Sequence, residues 1–323
     1  MSYKVSVIVP VYNSSKYIAK CCRSLFEQTL DSLQFVFIDD GSNDGSLGII
    51  DEILYDYPNR RNQVVFFRSE NMGVGAARHI GLREARGEYI IFCDSDDWVE
   101  SDLYEKLYIR AHYSNADIVN CGFKVDSIEG VTLRQVFPLN QTEPLLFSIS
   151  PQTGALWVKL IKRSFLEKNK LEIPSDIIWG EDLCLSIEAL LLSEKTQHFD
   201  ELLYHHVINE GSLTHSVTKR MCLDLIKCGL VIEDFLKTHS LLDRYSSQLN
   251  WLKFQLKQYF LIFPQTRNIQ MWKSVYPECH SEILRYQTAT YLKVSAWLLV
   301  HNCDRVGMLV LKMRDVLSSL RRR

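Results

Sequence analysis

Apolar positions in the first third of the chain alternate between two periods. Residues 5–9 form a short β-branched run, the pattern of a strand buried on both faces. After Pro10-Val11-Tyr12-Asn13, Ser14 or Ser15 can cap a helix whose apolar face carries Ile18, Cys21, Cys22, Leu25 and Phe26. A second strand is expected over 35–38, and Ile49, Ile50, Ile53 and Leu54 mark a second helix. A third strand follows over 64–67, a third helix over 74–85 and a fourth strand over 89–93. Helix-length crossovers between apolar strands predict an α/β domain with a mostly parallel sheet flanked by helices.

The pattern then loosens. A strand is expected over 118–123, a polar, turn-rich stretch over 125–153, and a strand followed by a helix around 157–166. Leu183 to Leu192 is the apolar face of a helix opening at Gly180-Glu181-Asp182, and beyond about 218 the chain reads as wholly helical. The expected organisation is a catalytic unit over 1–217, with halves 1–114 and 115–217, and a helical C-terminal region over 218–323.

Composition narrows the classes. Of 323 residues 46% are hydrophobic, and 37 Lys plus Arg balance 39 Asp plus Glu at a net −2. That balance argues against binding nucleic acid over the whole surface. Nine cysteines, mostly inside apolar stretches and without a CxxC pair, suit buried thiols in a reducing cytosol. No signal peptide precedes the first strand, and no apolar run approaches the roughly 18 residues of a transmembrane helix. A cytoplasmic protein is expected, with peripheral contact at the inner face of the plasma membrane as a further option.

In an open parallel sheet, ligands bind outside the carboxyl ends of the strands, where strand order reverses. Three of the first four strands end there in polar clusters: Pro10-Val11-Tyr12-Asn13, Asp39-Asp40-Gly41-Ser42 and Asp94-Ser95-Asp96-Asp97. Carboxylates crowded on one rim repel unless a cation or hydrogen-bond donors sit among them. A hard divalent ion such as Mg²⁺ or Mn²⁺ is the simple solution.

The ordered segments VSVIVPVYNSSKYI, FIDDGSNDGS, ENMGVGAARHIGL, GEYIIFCDSDDW and WGEDLCL resemble the family 2 glycosyltransferases, nucleotide-sugar-dependent enzymes of the GT-A fold. The resemblance covers about the first 215 residues. It implies that Pro10, Val11 and Tyr12 line the nucleoside pocket and that Asp40 accepts from the base, typically uracil. Asp94 and Asp96 match the DXD motif, with Asp96 the direct ligand of Mn²⁺ or Mg²⁺ and Asp94 facing ribose or metal-bound water. Glu181-Asp182 matches the catalytic-base position, so Asp182 would deprotonate an acceptor hydroxyl in a single inverting displacement. The implied function is transfer from a UDP-sugar to a saccharide or lipid-linked saccharide in surface polysaccharide biosynthesis.

Departures from the family pattern leave alternatives open. The usual Asn-Gly-Gly is Asn71-Met72-Gly73, and Ala-Arg-Asn is Ala77-Arg78-His79; Arg78 is either a nucleotide or diphosphate contact or a surface charge. Val207 stands where Arg is common, ahead of Ser212-Leu213-Thr214, so a phosphate contact from that position is not expected; His205, His206 and His215 are either its substitutes or structural residues. Trp157 and Lys159 match an acceptor-side W-x-K pattern, the Trp either stacking on a sugar or sitting in the core.

Two other classes fit fewer residues. A degenerate nucleotide-sugar-binding or scaffolding subunit conflicts with retention of Asp94, Asp96 and Asp182. A haloacid-dehalogenase-type phosphatase would need Thr or Val where Trp98 stands, and its motif near the first strand. Finally, residues 290–323 hold seven cationic residues against Asp304 and Asp315, a net +5. This basic amphipathic tail either meets an anionic membrane or packs on the rest of the protein.

Overall fold

The computed structural model describes residues 3–136, 146–209 and 217–320. Its contacts divide the chain into two compact units: Met1–Leu146 with Ser150–Ser212, and Phe147–Ile149 with Leu213–Arg323.

The first unit is built on one nine-stranded sheet. Strands β1 (Val5–Val11), β2 (Leu33–Asp39), β3 (Val64–Arg68) and β4 (Tyr89–Phe92) are parallel, in spatial order β3-β2-β1-β4. Every residue of β1, β2 and β4 is buried, as continuous apolar runs require in a sheet covered on both faces. Crossovers are supplied by α1 (Ile18–Phe26), α2 (Ser46–Tyr55) and α3 (Val74–Glu84). The strands run outward from β1 to β3 and then return to β4 on the other side of β1, which makes the β1/β4 boundary the switch point.

Beyond β4 the chain continues through β5 (Trp98–Val99), α4 (Leu103–Ser114), β6 (Ile118–Asp126) and β7 (Thr132–Val136). Next come α5 (Pro151–Gly154), β8 (Lys159–Lys162), α6 (Arg163–Asn169), α7 (Glu181–Leu192) and β9 (Thr196–Val207). β8 lies antiparallel between β4 and β6, β9 runs parallel to β6, and β5 and β7 add antiparallel edges.

Several sequence expectations change here. Neither Ser14 nor Ser15 caps α1 with its side chain; the helix starts at Ile18, after a turn in which the Ser14 carbonyl accepts from Tyr17 and Ile18 N–H. The stretch over 125–153, read as turns, contains β7, and its residues 137–145 lie outside the described residues. Strand β9 carried no sequence signal, since TQHFDELLYHHV does not alternate and most of it is half-buried.

The second unit is helical among its described residues, as expected for the chain beyond 218. It comprises α8 (Lys219–Thr238), α9 (Leu242–Lys257), α10 (Tyr259–Ile262), α11 (Ile269–Ser274), α12 (Thr290–Val300) and α13 (Asp304–Leu320). Its core collects Cys228, Ile232, Leu252, Phe254, Phe260 and Trp272. Lys257 is buried with them, its Nζ 2.6 Å from His280 Nε2 and 4.4 Å from the Trp272 ring centroid. Burial lowers the Lys257 pKa to about 8 and that of His280 to about 4. No described helix is long and apolar enough to cross a membrane.

Candidate active site

The loops after β1, β2 and β4 meet at the switch point. Ser14 Oγ, after β1, lies 2.6 Å from Ser95 Oγ, after β4. Val11 accepts the Asp40 N–H at 2.8 Å, which ties the ends of β1 and β2 together. Pro10 and Val11 are buried, whereas Tyr12 is 48% exposed, its hydroxyl accepting from Asn71 Nδ2 at 2.9 Å.

The Asp40 carboxylate is buried and surrounded by donors. It accepts from Ser69 Oγ at 2.9 Å, Met72 N at 2.8 Å and Gly73 N at 2.7 Å. It therefore shapes the loop between β3 and α3. That loop presses on the segment before α7. Gly73 has φ 96°, and a Cβ on Gly75 would collide with the Ile177 carbonyl. Only glycine permits this approach, which brings α3 against the start of α7.

Arg78 completes the junction. It projects from α3 and is nearly buried; Nη2 donates to Asp94 Oδ1 at 2.6 Å and Nη1 to Glu181 Oε1. Burial works against its charge, but Asp94, Glu181 and Asp182 outweigh it and lift the guanidinium pKa further. Arg78 is thus not a surface charge: it bridges the DSD segment and the Glu181-Asp182 pair, 103 positions apart from Glu181 in sequence.

Around this bridge three carboxyls, those of Asp96, Glu181 and Asp182, are pushed up. Burial raises Asp96 to about 7, with the charges of Asp97 and Asp94 adding to it. Burial also raises Glu181, joined by Asp182 and opposed by Arg78. Asp182 is raised by burial and lowered in part by Arg78 and Lys159. Asp182 Oδ1 accepts the Leu183 N–H at 2.8 Å, in the first turn of α7.

Trp157 and Lys159 sit in the interior. Trp157 is 6% exposed and stacks on Tyr204 at 4.5 Å and on His206 at 5.5 Å. Lys159 is fully buried, its Nζ donating to Ala155 O at 2.8 Å and Gln152 O at 3.2 Å, and burial lowers its pKa to about 7. Trp157 reaches the carboxylate side through its stacks on Tyr204 and His206, and the Lys159 charge acts on Asp182.

Strand β9 and its exit bring residues that sequence reasoning did not assign to the carboxylates. Asn209 Nδ2 donates to Asp96 Oδ2 at 2.7 Å. Asp97, buried, accepts from Tyr204 Oη at 2.6 Å and Val207 N at 2.8 Å, and His206 Nδ1 lies 3.3 Å away. Val207 therefore contributes its backbone where the family pattern suggested a side chain. Burial lowers the His206 pKa, but the Asp97 contact outweighs it and brings it to about 9. His205 is instead held between Asp126 at 2.6 Å and Glu100 at 3.0 Å, stacked on Trp98. Ser212, Thr214 and His215 lie outside the described residues.

A divalent ion fits the chemistry of the Asp94 and Asp96 donors: hard carboxylate oxygens, with Asp96 raised to about 7 by burial and by its acidic neighbours. Among the described residues no three His, Cys, Asp or Glu side chains converge as a cage. Two carboxylates completed by substrate phosphate oxygens is the mode open to such an ion, and Mg²⁺ commonly binds so.

The family model for glycosyl transferase family 2 matches residues 6–168. The chain belongs to that family. It is a glycosyltransferase, 32% identical over 277 residues to the cholesterol galactosyltransferase of Borreliella burgdorferi, covering 80% of this chain and 74% of that one. It is 31% identical over 259 residues to the putative glycosyltransferase EpsH of Bacillus subtilis, covering 76% and 73% respectively. Among solved structures, residues 1–349 of S. aureus TarS, in complex with UDP-GlcNAc, share the fold. That match has a TM-score of 0.63 and 19% identity, covering 96% of this chain and 92% of TarS 1–349. TarS is a poly(ribitol-phosphate) β-N-acetylglucosaminyltransferase. The α/β sheet flanked by helices is thus the GT-A architecture, followed by a helical region.

Proposed function

We propose that this glycosyltransferase moves a sugar from a UDP-sugar to a hydroxyl of a saccharide or lipid-linked saccharide, with inversion, in surface polysaccharide biosynthesis in the cytoplasm. The observation that carries this reading is the Arg78 bridge, which joins Asp94 to the Glu181-Asp182 pair at the carboxyl ends of the sheet. The relatives support the acceptor class, their names including a lipid, cholesterol, and a polymer, poly(ribitol-phosphate).

In this mechanism Pro10, Val11 and Tyr12 line the nucleoside pocket, and Asp40 offers an acceptor to the base while holding the Ser69–Gly73 loop. Asp94 and Asp96 would hold Mn²⁺ or Mg²⁺, which when bound supplies Lewis-acid stabilisation to the departing diphosphate. Asp182 takes the proton of the attacking hydroxyl. Its raised pKa makes it a stronger base than an exposed aspartate, at the cost of needing higher pH to be ionised. Glu181, tied to Arg78, fixes the first turn of α7 and hence the position of Asp182. Lys159 and Trp157 act on the acceptor side from within, Lys159 through its charge on Asp182.

The test is Asp182→Asn. UDP affinity measured by calorimetry should stay near that of the parent while turnover falls about 10²–10⁴-fold. Near-normal turnover would remove Asp182 from the mechanism. The donor itself is found by thermal shift across a panel of nucleotide sugars with Mn²⁺, since a ligand of the folded state raises the melting temperature by mass action.

A further inference from the structure

Helix α13 carries two apolar faces. One is covered: Leu311 is buried, and Gly307 lies against Leu299 of α12. The other is open. Val306, Leu309, Met313 and Leu317, at spacings of three and four, are each 52–59% exposed. Such spacing lines one stripe of a helix. On α12, Val294 and Trp297 are exposed as well.

Charge on this helix pair is sorted by sign. The two acids of 290–323 are both engaged, Asp304 with Lys273 at 2.7 Å and Asp315 with Arg267 at 2.9 Å. Arg305 and Lys312 are exposed and enter no ion pair among the described residues. By helical geometry they fall beside the apolar stripe, at one edge. The sequence then continues with Arg321, Arg322 and Arg323.

We propose that the outer face of α13 docks on an anionic lipid surface, lying in the headgroup plane with Val306, Leu309, Met313 and Leu317 inserted and Arg305 and Lys312 on lipid phosphates. An apolar stripe edged by cations, on a helix whose acids are already paired, is the complement of such a surface. A second copy of this chain is a poorer occupant. An antiparallel two-fold contact along the stripe would set the same cationic edge of both copies together. The helix lies on the membrane and does not span it, in keeping with its mixed polarity.

The inference is independent of donor, acceptor and metal, so the test omits all three. The full chain is floated with vesicles of equimolar phosphatidylglycerol and phosphatidylcholine, or of phosphatidylcholine alone. Two variants accompany it: Leu309→Gln/Met313→Gln/Leu317→Gln, and Arg305→Gln/Lys312→Gln. Circular dichroism checks that each is folded, and sedimentation velocity without lipid reports self-association. The parent should float with the anionic vesicles and not with phosphatidylcholine alone. The charge variant should lose about thirty-fold in partition, from roughly 1 kcal/mol per cation, and the apolar variant should lose flotation. Absence of parent flotation, or flotation of both variants like the parent, would overturn the proposal. So would a parent dimer that the apolar variant converts to monomer.

Discussion

Two acidic clusters stand on the rim of the first unit, and they are built on opposite principles. At the end of β2, Asp40 sits among donors, accepting from Ser69, Met72 and Gly73. At the end of β4, Asp94, Asp96 and Asp97 act on one another, and Asp96 is pushed up to about 7 by burial and by these charges. An acid among N–H groups is an anchor whose charge is already compensated. An acid among acids is a demand for a cation. The first cluster organises a loop, and the second is suited to a metal and diphosphate.

The largest expected effect comes from removing the cation that spans the crowded side. Arg78→Met leaves Glu181 buried without its partner, and breaking a buried pair from one side costs about 3–5 kcal/mol. Urea unfolding checks this. Arg78→Lys should restore part of the loss, because a point charge cannot serve Asp94 and Glu181 with the planar fork that Arg provides. A Met variant within about 1 kcal/mol of the parent would mean that the bridge is not what stabilises the cluster.

The two clusters should answer the same substitution with opposite signs. Asp40→Asn removes a charged acceptor from buried N–H groups and should cost about 1–3 kcal/mol. Asp96→Asn removes a charge from a crowd. In metal-free buffer at pH 8 it should be neutral or stabilising by up to about 1–2 kcal/mol, while metal-dependent donor binding is lost. The sign follows from the raised pKa: above pH 7 the folded state holds an ionised carboxyl that the unfolded chain holds more easily. Equal destabilisation in both variants would erase the distinction.

How much of this was legible in the chain follows from where each contact comes from. Strands β1, β2 and β4 are continuous apolar runs and announce themselves, and their polar ends placed Asp40, Asp94 and Asp96 on one rim. Glu181 and Asp182 were visible through the WGED context. Strand β9 was not visible, because its residues are half-buried and become a strand by pairing with β6 some 80 positions earlier. Everything β9 delivers was therefore hidden: Tyr204 and His206 on Asp97, and Asn209 beyond it on Asp96. The Ser14 reading failed for a similar reason. Its hydroxyl meets Ser95 across the switch point and the Tyr12 carbonyl, and the helix begins only at Ile18, beyond the reach of a Ser14 cap. Sequence also showed Arg78 as a residue of the right type and left open whether it faced solvent, since its two partners lie on different elements.

Asp97 lies between the two principles, and His206 is the side chain that tests it. Its carboxylate belongs to the crowded cluster yet accepts from Tyr204 and the Val207 N–H, with His206 Nδ1 at 3.3 Å. The Asp97 contact brings the imidazole pKa to about 9 against burial, from an ordinary value near 6.5. A histidine raised on folding stabilises fully below its unfolded pKa and loses that contribution as pH rises through the folded value. His206→Gln should therefore destabilise at pH 6, and the deficit should shrink between about pH 6.5 and 9 and be gone by about pH 10. The imidazole is 36% exposed, so solvent screening reduces the effect to about 1 kcal/mol. Denaturant midpoints of parent and variant, measured across that range without metal, decide the matter. A deficit that does not change with pH would make His206 a packing residue, held by its stack on Trp157. A deficit that fades with rising pH would make it the cation that lets Asp97 remain ionised beside Asp96.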